Sequence, residues 1–597
     1  MAVPMEADLT ARVRAALAAL PDLPDGFDAD AVDVEWSAPA RAEHGDLATN
    51  VALQLAKPLA RAPRAVADAL ARALADDPRV AEAEVAGPGF LNVRLSHAHL
   101  TDALAAVLDA GEAWGRTDDH AGQTAIVEYV SANPTGPLTV GHGRNAVLGD
   151  TFANLLEATG YDVTREYYFN DAGRQMRILG QSVAARYRSI ARPETGTTTL
   201  PDGTVVPEGF PPDGYLGGYI SDIAASLHDV HGDALLPDAD RALAGEDGAE
   251  APFKEAAQAT IFAEIDATLR RMGVRMDTHF NEHTLYEAPA DGGPAPVWDV
   301  IERLRAADLA YDKDDAVWFR TSTLGKTVTD RDGETRGADV VLVKSTGEPT
   351  YRLPDIAYHM DKLDRGFDLV LDVFGADHIA TYPDVVRGVQ ALGGDADKIR
   401  VVVYQFVTLV RAGAPVKMST RKATYETLDD LMDEVGEDVT RFFFLMRSPN
   451  THLEFDLDLA KEASDKNPVF YLQYAHARIA SIRRKAAEAG LERPPAPDLA
   501  LLTHDAETAL VKTVLAFPDE VRLAAANHAP HRLAEYLRSV AGAFSAFYRD
   551  CRIVGEDPAL AGARLALAEA TQTTLAVGLA ILGISAPDRM DRAEPAA

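Results

Sequence analysis

Ala125-Ile126-Val127-Glu128-Tyr129-Val130, then Ser131-Ala132-Asn133-Pro134-Thr135-Gly136-Pro137-Leu138-Thr139-Val140-Gly141-His142, then a helical run over 143–159 closed by Gly160: this stretch decides the fold. Its first six residues form an almost unbroken apolar run, the pattern of a strand buried on both faces. The Pro/Gly segment after them breaks the strand, and the helical periodicity resumes at once. Strand, loop and helix in this order open a nucleotide-binding α/β unit, in which backbone amides at the helix start receive phosphate. Later apolar runs at 340–343, 369–374 and 401–405 are each flanked by helical pattern and predict further strands of one doubly wound parallel sheet.

Working outward, a Gly/Pro/Asp-rich stretch over about 193–255 breaks every periodicity and is expected to be an insertion, bounded here at about 193–300 within a catalytic domain spanning 113–455. Upstream, 1–112 reads as a small α+β domain. It has helical stretches at 8–20 and 46–76, a β-like segment Phe90-Leu91-Asn92-Val93-Arg94-Leu95 after the turn Gly87-Pro88-Gly89, and a helical linker over 99–112. Downstream, 456–597 is nearly continuous helix, interrupted at Arg493-Pro494-Pro495-Ala496-Pro497, and predicts an all-α bundle. The expected fold class is therefore α/β, with a parallel nucleotide-binding sheet domain carrying an inserted subdomain, an α+β amino-terminal domain and a helical carboxy-terminal domain.

The 597 residues are 47% hydrophobic and 25% charged, a composition for several ordinary cores. Apolar runs of membrane-spanning length are missing, and the first amphipathic stretch mixes Glu6, Asp8, Arg12 and Arg14 into its pattern, unlike a secretory signal; a cytoplasmic protein with no membrane partner is expected. The single cysteine, Cys551, excludes an intrachain disulfide and a Cys-based zinc cluster. The net charge of −34 argues against nucleic acid when averaged over the chain. The average conceals an asymmetry, because 460–597 holds 16 Lys plus Arg against 17 Asp plus Glu and is close to neutral. Lysine is scarce, 13 against 45 arginines, and an acidic, Lys-poor surface of this kind suits high salt.

Gly141 allows a ligand to approach the backbone, and His142 at the helix start is placed to donate to a phosphate oxygen. The segment 131–142 resembles the HIGH-signature region of class I aminoacyl-tRNA synthetases, and among them the arginine enzymes, whose loop reads S-x-N-P-T-G-P-L-H-V-G-H. The likeness extends to Arg144-Asn145 and Gly149-Asp150. Thr139 departs from it, standing where the signature has its first histidine; a hydroxyl can donate one hydrogen bond but carries no charge. Val416-Lys417-Met418-Ser419-Thr420-Arg421-Lys422 resembles the KMSKS loop in its K-M-S-T-R form. The resemblance implies an ATP-dependent ligase that uses Mg²⁺ with its ATP and no protein-bound zinc. It implies catalytic roles for Thr139, His142, Lys417, Ser419 and Lys422, and ATP contacts from Gly141, His142, Lys417, Met418, Asp377 and His378.

A guanidinium is planar and permanently charged, so selecting one calls for carboxylates and acceptors in fixed positions. Tyr351 and Asp355, four apart, share a face if a helix has begun there. In the family such a pair contacts arginine, assisted by a Glu and an Asn that match Glu128 and Asn133. The carboxy-terminal segment 467–478, with Arg564-Leu565-Ala566-Leu567 and 583–590, resembles the family's anticodon-binding domain. Tyr471, Tyr474 and Tyr548 are candidates to stack on unpaired bases of tRNA for arginine, and Arg478, Arg483, Arg484 and Lys485 to meet phosphates. Glu43-His44-Gly45-Asp46 and the segment holding Phe90 and Asn92 resemble the extra amino-terminal domain that touches the outer corner of tRNA. Two alternatives stay open: an adenylate-forming ligase for another substrate, and a non-catalytic RNA-binding relative that retains the fold.

Overall fold

The computed structural model describes residues 5–37, 39, 41–290, 292–329, 333–416 and 427–590. The chain divides into two compact units, one of residues 119–462 with 528–531, the other of residues 1–118, 463–527 and 532–597.

The first unit is built on a five-stranded sheet of β1 (Thr124–Glu128), β2 (Asp162–Phe169), β3 (Thr278–Asn281), β4 (Leu369–Gly375) and β5 (Ile399–Tyr404). All neighbours are parallel and the order is β5-β4-β1-β2-β3. The order reverses between β1 and β4, and in open sheets ligands bind at such a switch point, outside the carboxyl ends of the strands. Ala125, Ile126 and Val127 of β1 are wholly buried, as expected for the central strand of a sheet covered on both faces. Helix α1 (Val140–Ala158) follows β1, α2 (Gly173–Ala191) follows β2, α3 (Arg352–Asp364) precedes β4 and α4 (Tyr382–Ala391) joins β4 to β5. Gly149 on α1 lies against Tyr129, where an added Cβ would come within 2.1 Å of the ring.

Two strands of the sheet are not legible as apolar runs. In β2 the buried residues include Arg165 and Glu166, made tolerable by Arg165–Glu157 at 2.6 Å and by Arg365 on Glu166 at 2.6 Å. The short β3 carries polar Thr278 and Asn281. Conversely, the run 340–343 does not join the parallel sheet. Val340–Val343 pairs antiparallel with Ala316–Phe319, which pairs in turn with Ala310–Lys313, in a separate three-stranded sheet. A short apolar run announces burial but not its partner, and here the adjacent hairpin supplies the nearer edge. The aperiodic stretch 193–255 is ordered rather than loop throughout: Thr197–Thr199 and Val205–Pro207 form a hairpin, and helices Gly218–His231, Leu236–Leu243 and Ala251–Arg271 pack on α2.

In the second unit, Phe90–Leu95 is the central strand of a three-stranded antiparallel sheet between Leu47–Thr49 and Val80–Ala86. The helical stretch expected at 46–76 is thus interrupted. A strand opens it, and two helices follow, Val51–Leu55 and Pro63–Ala75, the second begun by a proline suited to a first helical turn. The linker helix His97–Ala110 is capped by Ser96, whose side chain accepts from the His99 amide. Five longer helices between Pro468 and Ile581 form the bundle, and Lys512 on one of them meets Asp46 at 2.5 Å.

Replacing Gly149 by alanine drives a methyl group into the fixed Tyr129 ring. We expect Gly149→Ala to lower unfolding free energy by about 1–3 kcal/mol, as overpacking does. Urea unfolding followed by tryptophan fluorescence reads this directly, and a midpoint equal to the parent's would contradict the contact.

Candidate active site

The chain leaves β1 through a turn that L-residues rarely adopt: Val130 has φ +64° and Ser131 φ +39°. Such a conformation costs about 1–3 kcal/mol and persists only where the surroundings hold it. Asn145 on α1 holds this one. Its Oδ1 accepts from the Val130 amide at 2.7 Å, while its Nδ2 donates to the Val373 carbonyl on β4 at 2.9 Å. One carboxamide therefore ties the ends of the two strands that flank the switch point to the helix that begins there. Tyr167 adds a bond from its hydroxyl to the Ala132 carbonyl at 2.6 Å.

Helix α1 begins with a reciprocal cap. Thr139 Oγ1 accepts from the His142 amide at 3.2 Å, and His142 Nδ1 accepts from the Thr139 amide at 3.2 Å. This fixes the histidine's chemistry. With Nδ1 an acceptor, the ring proton sits on Nε2, and burial pushes the imidazole pKa below its ordinary value, against the pull of Asp377. His142 is thus a neutral donor at the first turn. The Thr139 hydroxyl accepts within the cap and keeps its own proton to donate. Thr427 forms a β-bridge with Thr139, and the Leu428 amide donates to the Leu138 carbonyl at 2.9 Å. Lys417, Met418, Ser419 and Lys422 lie outside the described residues, whose nearest members on either side are Val416 and Thr427.

Behind this turn lies a buried charge network. In the β1/β4 register Glu128 stands beside Asp372, so two carboxylates share one face of the sheet interior. Lys362 of α3, wholly buried, donates to Glu128 Oε2 at 2.5 Å and to Asp372 Oδ1 at 2.6 Å. His359, one turn earlier, meets Asp372 Oδ2 at 2.9 Å through Nε2 and the Asp355 carbonyl at 2.7 Å through Nδ1. Burial alone would depress the Lys362 ammonium, but the two carboxylates outweigh it and hold its pKa above the ordinary value. Burial would likewise raise Asp372, and Lys362 with His359 hold it well below the usual carboxylate range instead. The other oxygen of Glu128 accepts from Ser131 Oγ at 2.9 Å. Both Glu128 oxygens are therefore engaged inside the protein.

Tyr351 precedes α3 with two-thirds of its surface exposed, and Asp355 occupies the first turn, its amide bonded to the Tyr351 carbonyl at 3.3 Å. The Asp355 carboxyl receives no hydrogen bond from a described side chain. Burial raises its pKa to about 6. Tyr351 and Pro354 line a cleft of about 660 Å³ together with Gln175, Glu282 and Tyr286. Asn133 donates to Gln175 at 3.0 Å and so reaches the same cleft through that side chain. Asp355 and His378 line a second, smaller cavity. His378 stacks on Phe374 at 5.1 Å, with Asp377 exposed 3.6 Å away. An added Cβ on Gly141 would meet only the Thr139 hydroxyl, at 3.5 Å, which leaves the backbone open to a ligand.

In the second unit Phe90 is exposed, whereas Asn92 is buried in the central strand. Tyr471 and Tyr474 are half-buried on the helix Pro468–Glu488, and the Arg478 guanidinium lies 4.8 Å from the Tyr474 ring and 5.4 Å from the exposed Tyr548 ring. Arg483 is taken up by Gln572 and Arg484 by the Asp588 carbonyl. Asn145 was marked in the sequence as part of the likeness; sequence reasoning missed Lys362, Asp372, His359, Gln175 and Glu282. Only Asp372 carried a signal, an acid inside the apolar run of β4.

Three family models match. Residues 7–95 match the arginyl tRNA synthetase N terminal domain, 103–193 the catalytic domain of tRNA synthetases class I (R), and 472–590 the DALR anticodon binding domain. An arginine–tRNA ligase of Salinibacter ruber is 55% identical over 588 residues, covering 98% of this chain and 99% of that protein. The chain belongs to the arginyl-tRNA synthetase family. The arginine–tRNA ligase of Desulfotalea psychrophila is 47% identical over 92% of this chain and 94% of its own length. The solved arginyl-tRNA synthetase of Thermus thermophilus has the same fold, with TM-score 0.72 at 23% identity over 98% of this chain and the whole of that one. Among the described residues no helix is long and apolar enough to cross a membrane.

Within this synthetase fold, Lys362→Met leaves Glu128 and Asp372 buried beside one another without their shared cation. Removing one partner of a buried ionic group typically costs about 3–5 kcal/mol. Thermal unfolding of the parent and variant measures it, and a loss below about 1 kcal/mol, within what surface substitutions do, would contradict the network.

Proposed function

We propose that the carboxyl ends of β1 and β4 activate arginine with ATP, that Asp355 and Tyr351 receive the guanidinium, and that the start of α1 receives the phosphates. The overall reaction is that of an arginine–tRNA ligase: arginine and ATP give arginyl-adenylate and pyrophosphate, and the arginyl group passes to the 3′-terminal ribose of tRNA with release of AMP. The observation that carries the assignment is Asp355, a half-buried carboxyl with no side-chain hydrogen bond from the described residues, one turn from an exposed tyrosine at the edge of a cleft. A partly desolvated charge of this kind calls for a cation, and guanidinium is the cation the reaction brings.

On the ATP side, the α1 amides, Nε2–H of His142 and the Thr139 hydroxyl are donors at one helix start, where charge builds on the α-phosphate as pyrophosphate leaves. Gly141 gives access, Asp377 suits a ribose hydroxyl and His378 the adenosine. Lys417, Met418, Ser419 and Lys422 complete this half by following the departing pyrophosphate. ATP enters as its Mg²⁺ complex, and protein-bound zinc has no part. Asn133 acts through Gln175. Glu128 acts on arginine from behind, by holding the β1 turn and the Lys362 network in place.

Residues 1–112, with Phe90 and Asn92, and residues 456–597, with Tyr471, Tyr474 and Arg478, are assigned to tRNA for arginine. The stack of Arg478 between two tyrosines, one of them exposed, supports base contact there. A cytoplasmic location belongs to the same proposal.

The pKa of Asp355 gives a pH test. Its folded value, about 6, lies above the ordinary 3.8, so the folded chain holds this proton more tightly than the unfolded chain does. Ionised Asp355 therefore costs stability above that value, and a bound guanidinium offsets the cost. Arginine KM should be flat well above pH 6 and rise on acidification through it, approaching tenfold per pH unit when one carboxylate must be ionised. Asp355→Asn should raise arginine KM at least tenfold at neutral pH, since charge-assisted bonds contribute about 1.5–3 kcal/mol. It should also flatten the profile. Steady-state aminoacylation against pH reads both, and an unchanged arginine KM in the variant would overturn the assignment.

A further inference from the structure

The inserted stretch 193–255 has been given no part in the reaction, yet residues 210–219 of it reach the loop that follows β1. Tyr219, in the first turn of the helix Gly218–His231, donates from its hydroxyl to the Thr135 carbonyl. From the same segment the Tyr215 hydroxyl meets the Thr135 side chain. The Tyr219 ring is seated between two glycines. An added Cβ on Gly217 would come within 2.0 Å of the ring, and one on Gly136 would stand 3.1 Å from its hydroxyl oxygen.

Thr135 matters because of what it is bonded to. Its amide donates to the Asn133 carbonyl at 2.7 Å, and the Asn133 side chain donates to Gln175 at 3.0 Å on the wall of the cleft. Gln175 lies in the first turn of α2, and the inserted segment is tied to that helix as well. The Tyr215 amide donates to the buried Ser182 Oγ at 3.0 Å, and Asp213 pairs with Arg174, the neighbour of Gln175. The Arg174 pair is exposed and contributes little by itself. Together these contacts hold both members of the Asn133–Gln175 bond from outside, one through the loop and the other through α2. The inner end of the loop is held separately, by Tyr167 on Ala132.

We infer that residues 210–219 brace the arginine wall of the cleft and that Tyr219 is the positioning residue: its hydroxyl fixes Thr135, Thr135 fixes Asn133, and Asn133 with Gln175 presents a preformed surface to arginine. This rests on the proposed action of Asn133 through Gln175. A wall fixed in advance spares the substrate the cost of ordering it. The start of α1 needs no such help, because the Thr139–His142 cap and the bond from the Leu428 amide to the Leu138 carbonyl already fix it. The brace therefore acts on arginine and leaves ATP alone.

The test is steady-state aminoacylation by the full-length chain with its tRNA. Tyr219→Phe keeps the ring and deletes the donor. It should raise arginine KM about three- to tenfold, the range that one hydrogen bond between neutral groups covers, and leave ATP KM within about twofold. Gly136→Ala should do the same, because the new methyl group displaces the hydroxyl. Placed in the Tyr219→Phe background, where that oxygen is gone, Gly136→Ala should change arginine KM by less than about twofold more. If Tyr219→Phe does not fold, Gly136→Ala decides the matter, with its ATP KM as the control. Arginine KM within about twofold of the parent in both single variants, equal rises in arginine and ATP KM, or fully additive effects of the two substitutions would overturn the inference. Asn133→Ala separates the brace from the reading beneath it. If that variant raises arginine KM while Tyr219→Phe does not, the brace alone is wrong; if Asn133→Ala has no effect, the Asn133–Gln175 wall is wrong and the brace falls with it.

Discussion

Two carboxylates placed side by side in the interior of a parallel sheet cannot both remain charged without a cation between them. Glu128 and Asp372 are such a pair, set by the β1/β4 register, and Lys362 is that cation. Because Lys362 belongs to α3, satisfying the pair fixes the helix against the two central strands. His359 then adds a second link from Asp372 back to the Asp355 backbone. The first turn of α3, which carries Asp355 and follows Tyr351, inherits its position from this internal bond. On the proposed assignment, selection of the substrate side chain is anchored to the sheet through the Glu128, Asp372 and Lys362 charges, an arrangement that keeps a small site rigid.

The proposed ATP half depends on a different constraint, the strained exit from β1. Val130 and Ser131 adopt left-handed backbone, and Asn145 makes that stable by bonding Val130 and Val373 at once. Helix α1 can then begin at the carboxyl ends of β1 and β4. The replacement of the signature's first histidine by Thr139 takes on physical sense in this setting. Threonine is a good N-cap, it reciprocates with His142, and that exchange selects the tautomer in which His142 presents a proton outward. The site gives up one imidazole and gains a firmly oriented second one.

Much of this was legible before any coordinates. The run 125–130, the Pro/Gly loop and the helix after it announced the nucleotide-binding unit, because an apolar run and helical periodicity are local properties. So did the strands begun near 369 and 401. Strand β2 was not legible, since its buried Arg165 and Glu166 read as surface charges until their partners Glu157 and Arg365 are known. The run 340–343 misled for the converse reason: its burial was evident, but pairing is a property of two segments. Asp355 and Tyr351 were singled out in the sequence by their four-residue separation and by the resemblance, whereas Lys362 looks like any lysine on a helix with acids nearby. Its importance comes from Glu128, 234 positions away in sequence.

The account stands or falls on where the guanidinium goes. A crystal structure of the full chain soaked with arginine at pH 8, where Asp355 is ionised, tests this most directly. The result expected is the guanidinium within about 3 Å of the Asp355 carboxylate and beside Tyr351, with the α-carboxylate directed to the start of α1. Arginine bound in the reverse sense, its ammonium at Asp355 and its guanidinium toward His142, would contradict it.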